Sequence, residues 1–174
     1  MIDYNFTDDW ATHFRVNAER LFQGMEKVAI DYLEIGTFEG RSACWMLDNV
    51  LIHPQSRLSA IDLKFRDEAR SNLLRHHRKA TLYEGDSKII LPTLSGTFDI
   101  VYIDGDHTSK GALFDSVTSW PRCKVGGIVL WDDYFNSNGN EVQFGVERFC
   151  DCLGASRYEV LLSNYQFAIR KLKE

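Results

Sequence analysis

The run VYIDGDHTSK, Val101 to Lys110, sets two carboxylates and a histidine directly behind the apolar stretch Ile100-Val101-Tyr102-Ile103. Charge at the mouth of a buried strand is costly unless something uses it. A second acidic pair, Asp132 and Asp133, closes the run GGIVLWDD. If the two runs are adjacent parallel strands, about 5 Å apart, Asp104, Asp132 and Asp133 converge on one point. Carboxylates that close repel and raise one another's pKa unless a cation neutralises them. All-oxygen ligation suits magnesium, calcium or manganese and disfavours zinc. Asp106, two residues past Asp104, is the expected general base for a hydroxyl. His107 is its rival, because an imidazole titrates near neutrality. The structural alternatives are capping: Asp106 on a helix starting near Thr108, and Asp132 or Asp133 on the loop DDYFNSNG.

A second constellation lies in LEIGTFEGRS, Leu33 to Ser42. Gly36 and Gly40 flank a strand-to-helix turn, where glycine lets the backbone approach a ligand and offers N–H donors. The pattern is not G-x-G-x-x-G, and Glu34 precedes the first glycine by two residues. A carboxylate there would repel a pyrophosphate and suits a ligand with an ammonium group. Asp62, ending the next strand, is placed to accept from ribose hydroxyls. Asp86, in EGDS, could accept from the exocyclic amine of a base. In that order they describe a ligand with an amino-acid end, a ribose and an adenine, and S-adenosylmethionine fits.

These residues need a scaffold that brings strand ends together. Strand-like runs fall at 29–36, 57–63, 80–86, 97–104, 126–133, 157–162 and 165–171. The last two are linked by Ser163-Asn164, too short for a parallel crossover, so they form an antiparallel hairpin. Helical patterns fall between: one capped by Thr7 and running over 8–25, then 42–51, 66–77, 87–94, 110–120 and 141–153. Alternation of this kind implies an α/β, doubly wound sheet with helices on both faces.

Bulk properties narrow the class. The 174 residues are 44% hydrophobic and 26% charged, with net charge -5, which suits a soluble domain and not a nucleic-acid or anionic-membrane binder. The basic run RHHRK, 75–79, reads as a solvated helix end. Cys44, Cys123, Cys150 and Cys152 form no CxxC pair and read as thiols in a reducing cytoplasm. The acidic start MIDYNFTDDW has no apolar core of a signal peptide, and no apolar run reaches membrane-spanning length.

YLEIGTFEGRSA, IDL, EGDS, FDIVYIDGDH and GGIVLWDDY together resemble the class I S-adenosylmethionine-dependent methyltransferases. The nearest likeness is the branch with the IDGDH…GG…DDY pattern, which includes macrolide-sugar and aminocoumarin O-methyltransferases and cephalosporin hydroxylase-like proteins. The resemblance implies a Rossmann-like seven-stranded sheet of order 3-2-1-4-5-7-6 with strand 7 antiparallel. It implies one domain over 1–174, with 1–28 as an N-terminal helical cap. Glu34, Gly36, Gly40, Asp62 and Asp86 would hold the cofactor, with their neighbours Thr37, Ser42, Leu63, Gly85 and Ser87, and with Asp104 touching it. In the sugar and aminocoumarin enzymes, the acids matching Asp104, Asp132 and Asp133 bind magnesium. The pattern departs at Lys124-Val125-Gly126-Gly127, where the family often has Lys-Pro-Gly-Gly, and at Ser109-Lys110, where an aromatic is common. The implied activity is metal-assisted O-methylation of a sugar or phenol, with neither nucleic acid nor membrane as partner and a homodimer left open. The alternative is a protein that binds S-adenosylmethionine without transferring methyl. Candidates for an apolar substrate wall are Trp131, Tyr134, Phe135 and Phe144, though aromatics at strand ends more often belong to a core. His13 would face the pocket or, more simply, solvent.

Overall fold

The computed structural model describes residues 3–136 and 139–174. Seven strands form one sheet: β1 (Asp31–Ile35), β2 (Arg57–Asp62), β3 (Ala80–Glu84), β4 (Phe98–Ile103), β5 (Cys123–Trp131), β6 (Tyr158–Ser163) and β7 (Phe167–Lys171). Their order is β3-β2-β1-β4-β5-β7-β6. β7 runs antiparallel to both β5 and β6, and the other pairs are parallel. The sheet is thus α/β and Rossmann-like, with the expected terminal hairpin, whose link is 164–166 because Ser163 still pairs with Phe167.

Side chains alternate across it. Tyr32, Ile100, Tyr102, Ile128 and Leu130 face one apolar layer, shared with α1 (Thr12–Leu21), α2 (Arg41–Asn49) and α3 (Asp67–Leu74). Leu33, Ile35, Val101, Ile103, Val129 and Trp131 face the other, covered by α5 (Ser109–Ser119) and α6 (Glu141–Leu153). A short α4 (Ser87–Ile90) follows β3. Burial on both faces explains why these strands read as continuous apolar runs. Chain direction reverses its march between β1 and β4, so the carboxyl ends of those strands open a crevice. Among the described residues no helix is long and apolar enough to cross a membrane.

The first helix departs from expectation. It begins at Thr12, not after Thr7, and has no side-chain cap. Thr7 instead gives its amide to Glu39 Oε2 at 2.8 Å and its hydroxyl to Glu39 Oε1 at 2.5 Å. Glu39 is almost fully buried, and a buried carboxylate must find donors. That demand draws Thr7 and Asp8 to Glu39 and leaves Trp10 outside the helix. Within RHHRK, His76 is not merely solvated: its Nε2 lies 2.7 Å from the Tyr4 hydroxyl.

Candidate active site

A cavity of about 960 Å³ opens at the carboxyl ends of the central strands. That is the top of the range that ligand pockets span, and holds more than one small molecule. Of the residues singled out from sequence, Gly36, Asp62, Leu63, Gly85, Asp86, Ser87, Asp104, Asp106, His107, Asp132 and Asp133 line it. Glu34, Thr37, Gly40 and Ser42 are not among its lining.

The glycine loop is built from backbone. Gly36 has φ +85°, and a Cβ there would stand 1.9 Å from the Asp104 carbonyl oxygen. Its amide donates to the Ile61 carbonyl at 2.8 Å, so β1, β2 and β4 meet at this residue. Asp62 organises the loop directly. Its Oδ2 accepts from the amides of Thr37 (2.8 Å) and Phe38 (3.0 Å), and its Oδ1 from that of Lys64 (3.1 Å). The acid expected only to receive ribose hydroxyls is therefore also the clasp of the turn.

Glu34 corrects an expectation. It does not present a carboxylate to a ligand ammonium: it is wholly buried, accepting from Tyr32 Oη (2.6 Å) and Ser42 Oγ (3.0 Å). Burial pushes its pKa up to about 8. Thr37 is also sealed in, and its hydroxyl oxygen has no hydrogen-bond partner. At the end of β3, Asp86 caps α4 through the Lys88 amide (2.9 Å), and the Ser87 hydroxyl donates to Asp115 (2.7 Å). Asp115 is fully buried, and burial pushes it up to about 6. It was not singled out; its only sequence signal is an acid amid the small and apolar residues of GALFDSV.

The acid end is built from side chains. The Tyr102 hydroxyl donates to Asp132 Oδ2 at 2.5 Å and lies 3.2 Å from Asp104 Oδ2. His107 Nδ1 is 2.7 Å from Asp133 Oδ2, and its Nε2 is 3.6 Å from Asp104 Oδ1. Asp133 also accepts from the Tyr165 hydroxyl and from Asn136 Nδ2 (3.1 Å). Burial and the Asp132 and Asp133 charges push Asp104 well above the usual carboxylate range. The hydrogen bond to Asp133 raises His107. Burial would raise Asp133, but His107 and Tyr165 outweigh it and hold it low.

Asp106 lies off this cluster. Its Oδ1 accepts from the Thr108 amide (3.0 Å) and its Oδ2 faces Lys88 Nζ at 3.4 Å, while Thr108 caps α5. Burial would raise its pKa, yet bonds from Thr108 and Lys88 outweigh that and lower it, which makes it a weak base. The expected metal set also shifts. Among the described residues, possible donor atoms within 4.8 Å of one another belong to Asp104, His107 and Asp133. Asp132 is mostly buried, one oxygen bound by Tyr102 and the other by the Asp133 amide. The reason is local: Asp133 has φ +54°, so the chain turns sharply between the two acids.

The aromatic wall also differs. Trp131 and Tyr134 are core, Phe135 and Phe144 are exposed, and none of the four lines the cavity. Trp10 and Tyr165 do, and His13 stacks on Tyr165 with centroids 4.3 Å apart. Of the loop 134–144, Ser137 and Asn138 lie outside the described residues.

Residues 33–134 match the family model described as a methyltransferase domain. An uncharacterized protein of Acanthamoeba polyphaga mimivirus is 28% identical over 167 residues, covering 90% of this chain and 73% of that protein. Among solved structures, the O-methyltransferase NovP superimposes with TM-score 0.74 at 17% identity, covering 91% of this chain and 79% of its own. The O-methyltransferase from Bacillus cereus in complex with SAH gives 0.68 at 18% identity, with 98% and 84% covered. MycE, a methyltransferase from the mycinamycin biosynthetic pathway, solved with Mg and SAH, gives 0.69 at 16% identity and 94% coverage of this chain. The chain spans about half the length of MycE, 51%.

Proposed function

We propose, from the premise that this chain belongs to the methyltransferase-domain family, that it transfers a methyl group from S-adenosylmethionine to a hydroxyl of a small molecule, assisted by a divalent cation. The observation that carries the reading is one cavity faced at one end by a glycine loop and at the other by an acid–histidine cluster. MycE was also solved with Mg, SAH and mycinamycin VI, which supports the branch that the IDGDH and DDY motifs resemble. We read 1–174 as one catalytic domain with 1–28 as its cap.

The cofactor supplies an electrophilic methyl group, and a divalent cation would supply positive charge to the acceptor oxygen. The donors fit such a cation. Asp104 and Asp133 offer hard oxygens and His107 a ring nitrogen, within 4.8 Å of one another. Asp132 holds Asp104 in place from behind, through Tyr102. The loop from Gly36 to Phe38 and the ends of β2 and β3, at Asp62, Leu63 and Asp86, bind and orient the cofactor. His107, not Asp106, takes the acceptor proton: Asp133 fixes its Nδ1, which leaves Nε2 turned toward Asp104 and the cavity. Asp106 is engaged by α5 and Lys88.

Calorimetric titration with S-adenosylhomocysteine and magnesium tests the first step. Asp62→Ala should weaken binding by about 1.5–3 kcal/mol, roughly ten- to a hundredfold, as loss of bonds to a charged acceptor does. Failure of the wild-type chain to bind S-adenosylhomocysteine overturns the reading. With an acceptor in hand, His107→Gln should abolish turnover and Asp106→Asn should keep most of it; the reverse pattern restores Asp106 as base.

A further inference from the structure

Residues 3–10 are not a loose lead-in. They form a strap fastened to the glycine loop, to the start of α2 and to α3. Asn5 and Asn72 exchange two hydrogen bonds, at 2.9 and 2.8 Å. Thr7 and Asp8 give their amides to Glu39, the residue before Gly40. Arg41 Nε donates to the Asp8 carbonyl at 2.9 Å, and its guanidinium lies 4.3 Å from the Phe6 ring centre. The strap ends at Trp10, whose side chain is 76% exposed yet lines the cavity. A lone exposed apolar residue needs no explanation. This one is delivered to the cavity by a strap anchored on a buried carboxylate. It shares the cavity wall with Tyr165, whose ring carries the His13 stack and whose hydroxyl holds Asp133.

Resting on the function proposed above, the geometry points to Trp10 as the residue that selects the acceptor, by stacking on a planar aromatic ring that bears the reacting hydroxyl. A flat π face rewards a flat partner. Tyr165, bound to Asp133, lines the same cavity beside His107.

The test is calorimetry on the full chain saturated with S-adenosylhomocysteine and magnesium. The probes are 2,3-dihydroxynaphthalene and, as a non-planar polyol, methyl glucoside. The wild-type chain should bind the naphthalene diol and not the glucoside. Trp10→Ala should weaken the diol at least tenfold, and Trp10→Phe should restore it to within about threefold, a rescue that a general structural effect would not produce. Affinity for S-adenosylhomocysteine should stay within about twofold in both variants. Equal diol affinity in Trp10→Ala and wild type overturns the inference. So does a wild type that prefers the glucoside or binds neither probe, or a tenfold loss of S-adenosylhomocysteine in Trp10→Ala. A wild-type chain that fails to bind S-adenosylhomocysteine instead brings down the proposed function, and is recognised before either probe is added.

Discussion

Phe38 and Asp133 sit at opposite ends of the cavity and share one unusual property. They are the non-glycine residues with positive φ among those described, at +50° and +54°. Such a backbone costs about 1–2 kcal/mol for an L-residue. What holds each in place differs. At Phe38 the main chain does it: its amide and that of Thr37 go to Asp62, and the Gly40 amide bonds the Thr37 carbonyl at 2.7 Å. The phenyl ring only stacks, with the Arg66 guanidinium 4.2 Å away. At Asp133 the side chain does it, by receiving His107, Tyr165 and Asn136. The cofactor end is therefore shaped by where the chain runs, and the acid end by which side chains stand there.

The strongest challenge to this contrast is Gly36→Ala. A single methyl group would meet the Asp104 carbonyl at 1.9 Å and its carbon at 2.5 Å, in a backbone conformation that alanine avoids. Left-handed strain of about 1–2 kcal/mol and overpacking of about 1–3 kcal/mol, neither relieved by a rotamer change, sum to roughly 2–5 kcal/mol. The variant should be insoluble or lose about that much in urea unfolding. An unfolding midpoint equal to that of the wild type would mean β1 and β4 are not in close contact here.

Glu34 probes the same end from below. Burial raises its folded pKa to about 8, against 4.5 for an ordinary glutamate. A carboxyl raised by folding adds stability below its unfolded pKa, and that stability is lost as pH climbs through the folded one. Between about pH 4.5 and 8 the wild-type chain should lose on the order of 4 kcal/mol relative to Glu34→Gln, which has no proton to release. Unfolding free energies of both proteins at pH 5, 6.5 and 8 give the difference. Parallel curves would show that Glu34 stays ionised throughout and is reached by solvent.

Sequence and structure agree where local chemistry decides. Two residues between apolar runs force a hairpin, and β6 and β7 form one. A glycine at a strand-to-helix turn marks a close approach, and Gly36 makes one, though to the Asp104 backbone. They part where a distant partner decides. Thr7 reads as a helix cap until Glu39, 32 residues on, takes both its donors. Period-two alternation puts Glu34 on the face of Tyr32, but cannot reveal that α2 closes over it through Ser42. Asp132 and Asp133 look equivalent in the sequence. One left-handed φ turns the first inward to Tyr102 and the second toward His107.

The finest discrimination removes one supporting group at each end and compares two small effects. In Tyr165→Phe, Asp133 loses the hydroxyl that helps stabilise its charge, while its φ and its neighbours stay. A hydrogen bond to a charged group contributes about 1.5–3 kcal/mol, and this partly exposed one belongs at the lower end, so a loss of about 1–1.5 kcal/mol is expected. Phe38→Gly combines opposing terms. Release of left-handed strain stabilises by about 1–2 kcal/mol. The added freedom of glycine in the unfolded chain takes back about 0.5–1 kcal/mol, and loss of the Arg66 stack about 0.5–1 kcal/mol. The sum lies within about 1 kcal/mol of zero, because Asp62 grips amides that glycine also has. Urea unfolding of the two variants side by side resolves the ranking. If Phe38→Gly loses more than Tyr165→Phe, the ring at position 38 supports its turn as a side chain, and the division between a backbone-made end and a side-chain-made end does not hold.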